Sequence, residues 1–308
     1  MMDAGANRPV LAAMLVLGAM ALFGLIDNFM RLAAENGGLW QFHLLRGTLA
    51  VAVLVPLAWL LKIRLRPRNA RLVLGRSALN TTAMVIYFGC LGLMPIAQAV
   101  AGLFTAPIFV VIFSVLFFGE RIGPRRIFAV ALGFVGIILV LRPETGDFSW
   151  LTVLPVIAGA FYGLGNLITR RLCMQEGTLT LLGGFFGLMT LAGALGCLVL
   201  WFYPLPVAAG ADGFLTRGWV PPTGVFGIMI VVQAIGSLLG VGLSIRAYQM
   251  ADATMVAVFE NTLLVFATIW AVILWAELPD ALGLLGLALI TAAGIIIAIR
   301  SDPAPVPA

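Results

Sequence analysis

The feature that most constrains this chain is a succession of apolar stretches, each about as long as a membrane is thick. A helix needs about 20 mostly apolar residues to cross a hydrocarbon core roughly 30 Å thick. Because only 10% of the residues are charged, against about 25% in soluble domains, the chain belongs to the membrane class. The apolar runs predict ten transmembrane helices, at 9–34, 38–61, 70–92, 95–118, 124–141, 149–173, 178–203, 222–249, 252–276 and 279–300. The sequence therefore predicts an all-α membrane protein without a soluble domain.

The basic residues are unevenly divided between the two sides that ten helices would define. Fourteen of the 18 Lys and Arg residues fall on one side, among them Lys62, Arg121 and Arg170. Cytoplasmic loops are enriched in Lys and Arg, so both termini are predicted to lie in the cytoplasm and the protein in a bacterial inner membrane. This distribution also accounts for the net charge of +5 without a nucleic-acid partner.

The first and sixth predicted helices resemble each other. Residues 19–27 align with 158–166 at an offset of 139, with matches at both alanines and at a Gly-Leu pair. Asp27 falls opposite Asn166 in this alignment. The match indicates an internal repeat, a feature to be sought before any single motif.

The fourth and ninth predicted helices extend the repeat. Residues 118–121 align with 275–278 at an offset of 157, which also places Thr105 on Thr262. The longer offset is explained by the loop at 204–221, which has no counterpart in the first half. We therefore predict two five-helix halves, 1–145 and 146–308, the second with a disordered tail. Five is an odd number, so the halves would be inverted, an arrangement typical of secondary transporters with a midplane substrate site.

Several stretches resemble the EamA-type permeases of the drug/metabolite transporter superfamily, which include bacterial amino-acid exporters. They are 42–46, 119–121 and the Gly-rich 133–139, the last two repeated at 276–277 and 293–296. The resemblance implies a ten-helix bundle in which the third, fourth, eighth and ninth helices line a central cavity. It also implies export of amino acids.

Ionisable and polar residues inside the spans supply the candidate binding site, because such residues are costly in a membrane. Glu260, with Asn261, is predicted to recognise a substrate ammonium or a proton; the alternative is a structural carboxylate paired with Arg76 or Arg246. The neutral candidates for substrate binding are Asn80, Tyr87, Gln233 and Ser237. Such side chains can equally hold transmembrane helices together.

Three further residues are predicted to be structural or to act in gating. Asp27 and Arg46 are expected to form an ion pair between adjacent helices, with an extracellular gate as the alternative. Pro107 is expected to bend the fourth helix, as a static kink or as a hinge. His43, the single histidine, lies one turn before Arg46 and is interpreted as a satisfied bystander, with proton coupling as the alternative.

These features favour a secondary exporter of small polar metabolites, most of all amino acids, working by alternating access. The alternative is efflux of drugs or cationic amphiphiles. The sequence lacks a G-x-x-x-x-G-K-[ST] loop, an H-E-x-x-H motif and a second histidine, so neither ATP-driven transport nor an enzyme is predicted. No catalytic residue, cofactor or metal site is predicted, and the expected partners of this monomer are the substrate and the bilayer.

Overall fold

A computed structural model describes residues 8–90, 93–94, 96–141, 150–276 and 278–298. These residues form only helices and their connections, as the sequence predicts. The thirteen α-helices are α1 (Pro9–Asp27), α2 (Met30–Asn36), α3 (Leu39–Leu60), α4 (Ala70–Cys90), α5 (Ile96–Leu103), α6 (Ala106–Phe118), α7 (Pro124–Leu141), α8 (Leu154–Leu172), α9 (Thr178–Phe202), α10 (Gly224–Met250), α11 (Ala253–Glu260), α12 (Leu263–Trp275) and α13 (Ala281–Ala298).

Three of the predicted helices are interrupted. The first breaks between α1 and α2, the fourth between α5 and α6, and the ninth between α11 and α12. Hydropathy does not reveal these breaks because the residues on both sides are apolar. In the fourth helix Pro107 is the second residue of α6, so it follows a break at 104–105 instead of bending a continuous helix.

Within the part of the chain that the structure describes, eight stretches are long and apolar enough to cross a membrane. They comprise α1, α3, α7, α9, α10, α13 and the two interrupted segments Ala99–Phe118 and Ala253–Leu274. The other long helices, α4 and α8, are less apolar and pack against each other. The count of ten spans, their inversion and the side on which the termini lie stay predictions.

The helices of the two predicted halves alternate in the bundle. Helix α1 packs along α10 and α12, while α8 packs along α4 and α6. Helices α3 and α9 form one further pair, and α7 and α13 another. If the halves were related by a two-fold axis, α1 would correspond to α8, and these are the pairings that such an axis would produce. The core therefore lies between the halves instead of within each one.

Polar contacts tie the connections at both ends of the bundle. Arg217, in the loop before α10, donates to the carbonyl oxygens of Ala34 and Gly37 at 2.8 and 2.7 Å. At the opposite end Arg126 pairs with Asp252, N to O 2.9 Å, and Arg171 pairs with Glu120. The boundary between the predicted halves, Glu277, Arg300 and the proline-containing tail lie outside the described residues.

Candidate functional site

A cavity at the centre of the bundle encloses about 1150 Å³ of empty space, including its opening. Helices α1, α3 and α4, both interrupted segments, and α8, α9 and α10 all contribute to its wall. Every residue that the sequence singled out for binding or gating lines it: Asp27, Arg46, Asn80, Tyr87, Pro107, Gln233, Ser237, Glu260 and Asn261. The structure thus brings together residues predicted separately on six helical segments. Their participation in transport stays a prediction.

At one end of the cavity Glu260 is held by two tyrosine hydroxyls. Tyr162 donates to Oε1 at 2.9 Å and Tyr248 donates to Oε2 at 2.8 Å. Glu260 is the last residue of α11 and only 6% exposed. The expected alternative, a pair with Arg76 or Arg246, is not formed among the described residues. The carboxylate is therefore positioned by neutral donors and carries no counter-ion from the described chain.

Arg76 lies beside the same two tyrosines, one turn before Asn80 on α4. Its Nε donates to Thr169 Oγ1 at 2.9 Å, and Thr169 Oγ1 in turn donates to the Gly165 carbonyl at 2.9 Å. Arg76 lines the cavity although it is only 3% exposed, and its Nη1 has no partner. One edge of the guanidinium is thus fixed to α8 while another nitrogen is uncommitted.

Asp27 and Arg46 line the other end of the cavity. On α10, Tyr248 contacts Glu260 and Gln233 contacts Ile26, the neighbour of Asp27, and these two α10 residues are about 20 Å apart by helical rise. No described nitrogen-to-oxygen contact within 4.0 Å joins the side chains of Asp27 and Arg46, so the expected direct ion pair is absent. Arg46 donates instead to His43 Nδ1 at 3.4 Å and stacks over the Phe42 and Phe88 rings, 4.9 and 5.5 Å from their centroids. His43 is fully buried beside Arg46, but its Nε2 has no hydrogen-bond partner among the described residues, so it is not the satisfied histidine that the sequence predicted.

The neutral candidates differ in how far their polar atoms are already used. Gln233 donates to the Ile26 carbonyl at 2.9 Å, and Ser237 donates to Ala234 at 3.4 Å, so both hold helix ends or turns. Asn80 donates to the Arg76 carbonyl at 3.2 Å but leaves its Oδ1 unpartnered. The Oδ1 of Asn261 is likewise unpartnered. Asn80 and Asn261 are therefore better placed than Gln233 and Ser237 to contact a ligand.

The interrupted segments α5/α6 and α11/α12 each break at a threonine beside the cavity. Thr105 donates to the Gly102 carbonyl and Thr262 to the Phe259 carbonyl, each at 2.6 Å. The two threonines are the pair that the repeat alignment predicted at an offset of 157. A hydroxyl that bonds to the backbone within its own turn competes with the regular helix. The breaks expose the residues before each threonine to the cavity.

Sequence reasoning did not assign a cavity role to Tyr162, Asn166, Ser244 or Tyr248. Tyr248 carries no signal in the sequence, because its partner lies across a helix break. Asn166 did carry one, since the repeat places it opposite Asp27, and both residues line the cavity. Tyr162 lies one turn before Asn166 on α8 and could have been found with it.

Unpartnered polar atoms concentrate in the cavity wall. Of the nine buried side-chain atoms that lack a hydrogen-bond partner among the described residues, six belong to residues of the wall. They are Arg46 Nε, Arg76 Nη1, Asn80 Oδ1, Asn166 Nδ2, Ser244 Oγ and Asn261 Oδ1. Buried polar groups in native structures are usually satisfied, so this concentration points to a polar ligand.

The chain is similar to known membrane transporters. Residues 10–142 match the EamA-like transporter family. A riboflavin transporter of Rhizobium johnstonii is 28% identical over 73% of this chain and 68% of its own length. The pseudopaline exporter CntI of Pseudomonas aeruginosa is 28% identical over 81% of each chain, and an S-adenosylmethionine uptake transporter of Rickettsia felis is 27% identical over 70% and 69%.

One solved structure, described only as the crystal structure of a protein, matches with a TM-score of 0.74 at 19% sequence identity. The match covers 95% of this chain and 99% of that chain, which shows a shared fold. Together the similarities support the EamA family within the drug/metabolite transporter superfamily. They do not single out amino-acid exporters, since the relatives named above carry other metabolites.

Proposed function

We propose that this chain is an EamA-family membrane transporter that moves a small polar metabolite across the bacterial inner membrane through its central cavity. The observation that carries the proposal is the set of six unpartnered polar atoms that belong to residues of the cavity wall. Hydrogen-bonding groups left uncommitted at the centre of a membrane bundle mark a substrate pathway. The relatives, each a small-molecule transporter, support the same conclusion.

The charges of the cavity favour a substrate with both a positive and a negative group. Glu260 and Asp27 are acidic, Arg46 and Arg76 are basic, and neither pair of opposite charges forms a direct ion pair among the described residues. An amino acid or a related zwitterion supplies both complementary charges. We therefore keep amino acids as the proposed class, with net export as the proposed direction and alternating access of two inverted halves as the mechanism.

Efflux of drugs or cationic amphiphiles is the alternative. Aromatic side chains from three helices and from the break between α5 and α6 line the cavity, namely Phe23, Tyr87, Phe88, Phe104 and Phe185. Aromatic faces attract cations and stack on flat ligands, and Glu260 would then be the only charge required. This alternative predicts that a carboxylate on the ligand contributes nothing to transport.

Flux into proteoliposomes tests the proposal. We would reconstitute the full chain and measure uptake of labelled L-amino acids, S-adenosylmethionine, riboflavin and a hydrophobic cation, with and without a pH gradient. We expect saturable flux of at least one amino acid. Saturable flux of the hydrophobic cation alone would favour the alternative, and no saturable flux of any probe would refute the proposal.

Substitution of Glu260→Gln keeps the size of the side chain and both tyrosine neighbours while removing the charge. We expect amino-acid flux to fall about tenfold or more, because a lost charge-assisted contact costs roughly 1.5–3 kcal/mol. The matched control is Glu35→Gln, since Glu35 is exposed on α2 and is not part of the cavity wall. Unchanged flux in Glu260→Gln would return Glu260 to a structural role.

A further inference from the structure

The guanidinium of Arg76 is buried without a counter-charge among the described residues. It is 3% exposed, yet no described carboxylate lies within 4.0 Å of it. A buried charge is expensive unless a counter-charge or a full set of hydrogen bonds compensates it. Here only Nε has a partner, Thr169 Oγ1, and Nη1 has none. The compensation is therefore incomplete in the chain by itself.

The surroundings of Arg76 hold it in place without neutralising it. Thr169 is itself anchored to Gly165, and Asn80 caps the Arg76 carbonyl, so α4 and α8 fix both the backbone and one edge of the guanidinium. The nearest acidic group of the cavity, Glu260, is occupied at both oxygens by Tyr162 and Tyr248. The same two tyrosines also lie near Arg76, while no ion pair joins Arg76 and Glu260 among the described residues.

We propose that Arg76 is the ligand for a carboxylate of the transported metabolite, with Asn166 and Ser244 completing the subsite. This inference rests on the proposed function and specifies the substrate class: a monocarboxylate that also carries a cationic group. Asn166 Nδ2 and Ser244 Oγ lack partners, line the same cavity and can donate to a carboxylate oxygen. An arginine with a fixed planar fork suits carboxylate recognition in particular.

The charge balance argues for a carboxylate over a phosphate dianion. This end of the cavity holds one guanidinium and one glutamate. A singly charged anion leaves Glu260 free to attract the substrate's cationic group, whereas a dianion would be repelled by the carboxylate at short range. The two tyrosines that hold Glu260 would then set the spacing between the two charged ends of the ligand.

Matched acids and amides test the subsite on the full chain in detergent. We would measure ligand-induced thermal stabilisation by L-phenylalanine and L-methionine and by L-phenylalaninamide and L-methioninamide, at about pH 6, where the amides lose the carboxylate but keep the ammonium. Stabilisation follows affinity by mass action. We expect at least one acid to bind about tenfold more tightly than its amide, the effect of one charge-assisted hydrogen bond.

Variants at Arg76 separate recognition from folding. Arg76→Gln is expected to bring the ratio of acid to amide affinity to about one, and Arg76→Lys to retain a preference for the acid. The matched control is Arg71→Gln, an exposed arginine on the same helix, which should leave the ratio unchanged. A purely structural role for Arg76 would lower stability in both variants without altering the preference.

Two results would overturn the subsite. The first is equal binding of acid and amide, or binding of neither, while the wild-type protein transports riboflavin or another probe without a carboxylate. The second is an acid preference that survives in Arg76→Gln. Either leaves the proposed metabolite transport intact, whereas the absence of flux for every probe would remove the proposed function and the subsite with it.

Discussion

The interrupted helices α5/α6 and α11/α12 have the same backbone and different chemistry. Thr105 and Thr262, at the two breaks, adopt φ/ψ of −70°/−9° and −64°/−8° and make the same 2.6 Å bond to the carbonyl three residues earlier. Helices α6 and α12 are also followed by similar caps, Gly119 and Ala276, whose φ angles are 62° and 55°. Thirteen residues separate the break from the helix end in both.

The residues just before each threonine differ. In the first half they are Leu103 and Phe104, and in the second half they are Glu260 and Asn261. The shared break therefore presents two side chains to the cavity in both halves, apolar in one and polar in the other. At the two breaks, therefore, the backbone is shared by both predicted halves, while the polar side chains come from the second one; the remaining polar residues of the wall, Arg76 and Asn80 among them, come from the first.

The largest expected effect comes from filling the close contacts that hold each interrupted helix. A Cβ on Gly24 of α1 would lie 2.7 Å from the backbone nitrogen of Ala267 in α12, and one on Gly163 of α8 would lie 2.8 Å from the Ala106 carbonyl in α6. Gly24→Val and Gly163→Val should each lower the free energy of unfolding by about 3 kcal/mol, the upper range for overpacking. Thermal unfolding of the purified protein in detergent measures both.

The control is Gly187→Val on α9, where an added Cβ has nothing within 4 Å, and we expect little change. Equal losses at Gly24 and Gly163 would mean that the two interrupted segments are held equally tightly, since the two glycines are repeat partners at an offset of 139. A loss at one position alone would mean that the halves are held together unequally.

Features set by neighbouring residues in the sequence could be predicted, whereas features set by contacts between distant residues could not. The start of α7 at Pro124 was predicted correctly because a proline and charged residues mark it. The break at Thr262 was not, since it depends on a hydroxyl bond that hydropathy does not register. Glu260 was predicted to be a site residue, but its hydrogen bonds with Tyr162 and Tyr248, which lie on other helices, follow only from packing.

The second prediction concerns the two threonines themselves. Thr105→Val and Thr262→Val keep the shape of the side chain and remove the bond to Gly102 or Phe259, so each should cost about 1 kcal/mol of unfolding free energy. Transport should respond differently: flux should fall severalfold in Thr262→Val, because Glu260 and Asn261 would shift, and stay near wild type in Thr105→Val. Unfolding and proteoliposome flux are measured on the same preparations.

The serine variants serve as controls, because Thr105→Ser and Thr262→Ser restore the hydroxyl and should recover both stability and flux. If Thr105→Val reduced flux as strongly as Thr262→Val, the apolar half of the cavity would contribute to the site as much as the polar half. The contrast between the two breaks would then be one of composition without a functional consequence.

The smallest expected effect is at Pro107, where the two halves differ without a difference in backbone. Pro107 and its repeat partner Leu264 both occupy the second position of the helix that follows the break. A proline there gives up a hydrogen bond that the first turn of a helix lacks in any case. Because α12 begins after an equivalent break without a proline, Pro107 is not required for the break in α5/α6. Pro107→Ala should therefore change the unfolding free energy by less than about 1 kcal/mol and leave flux near wild type. A tenfold loss of flux with unchanged stability would instead assign Pro107 a hinge role that the second half performs by other means.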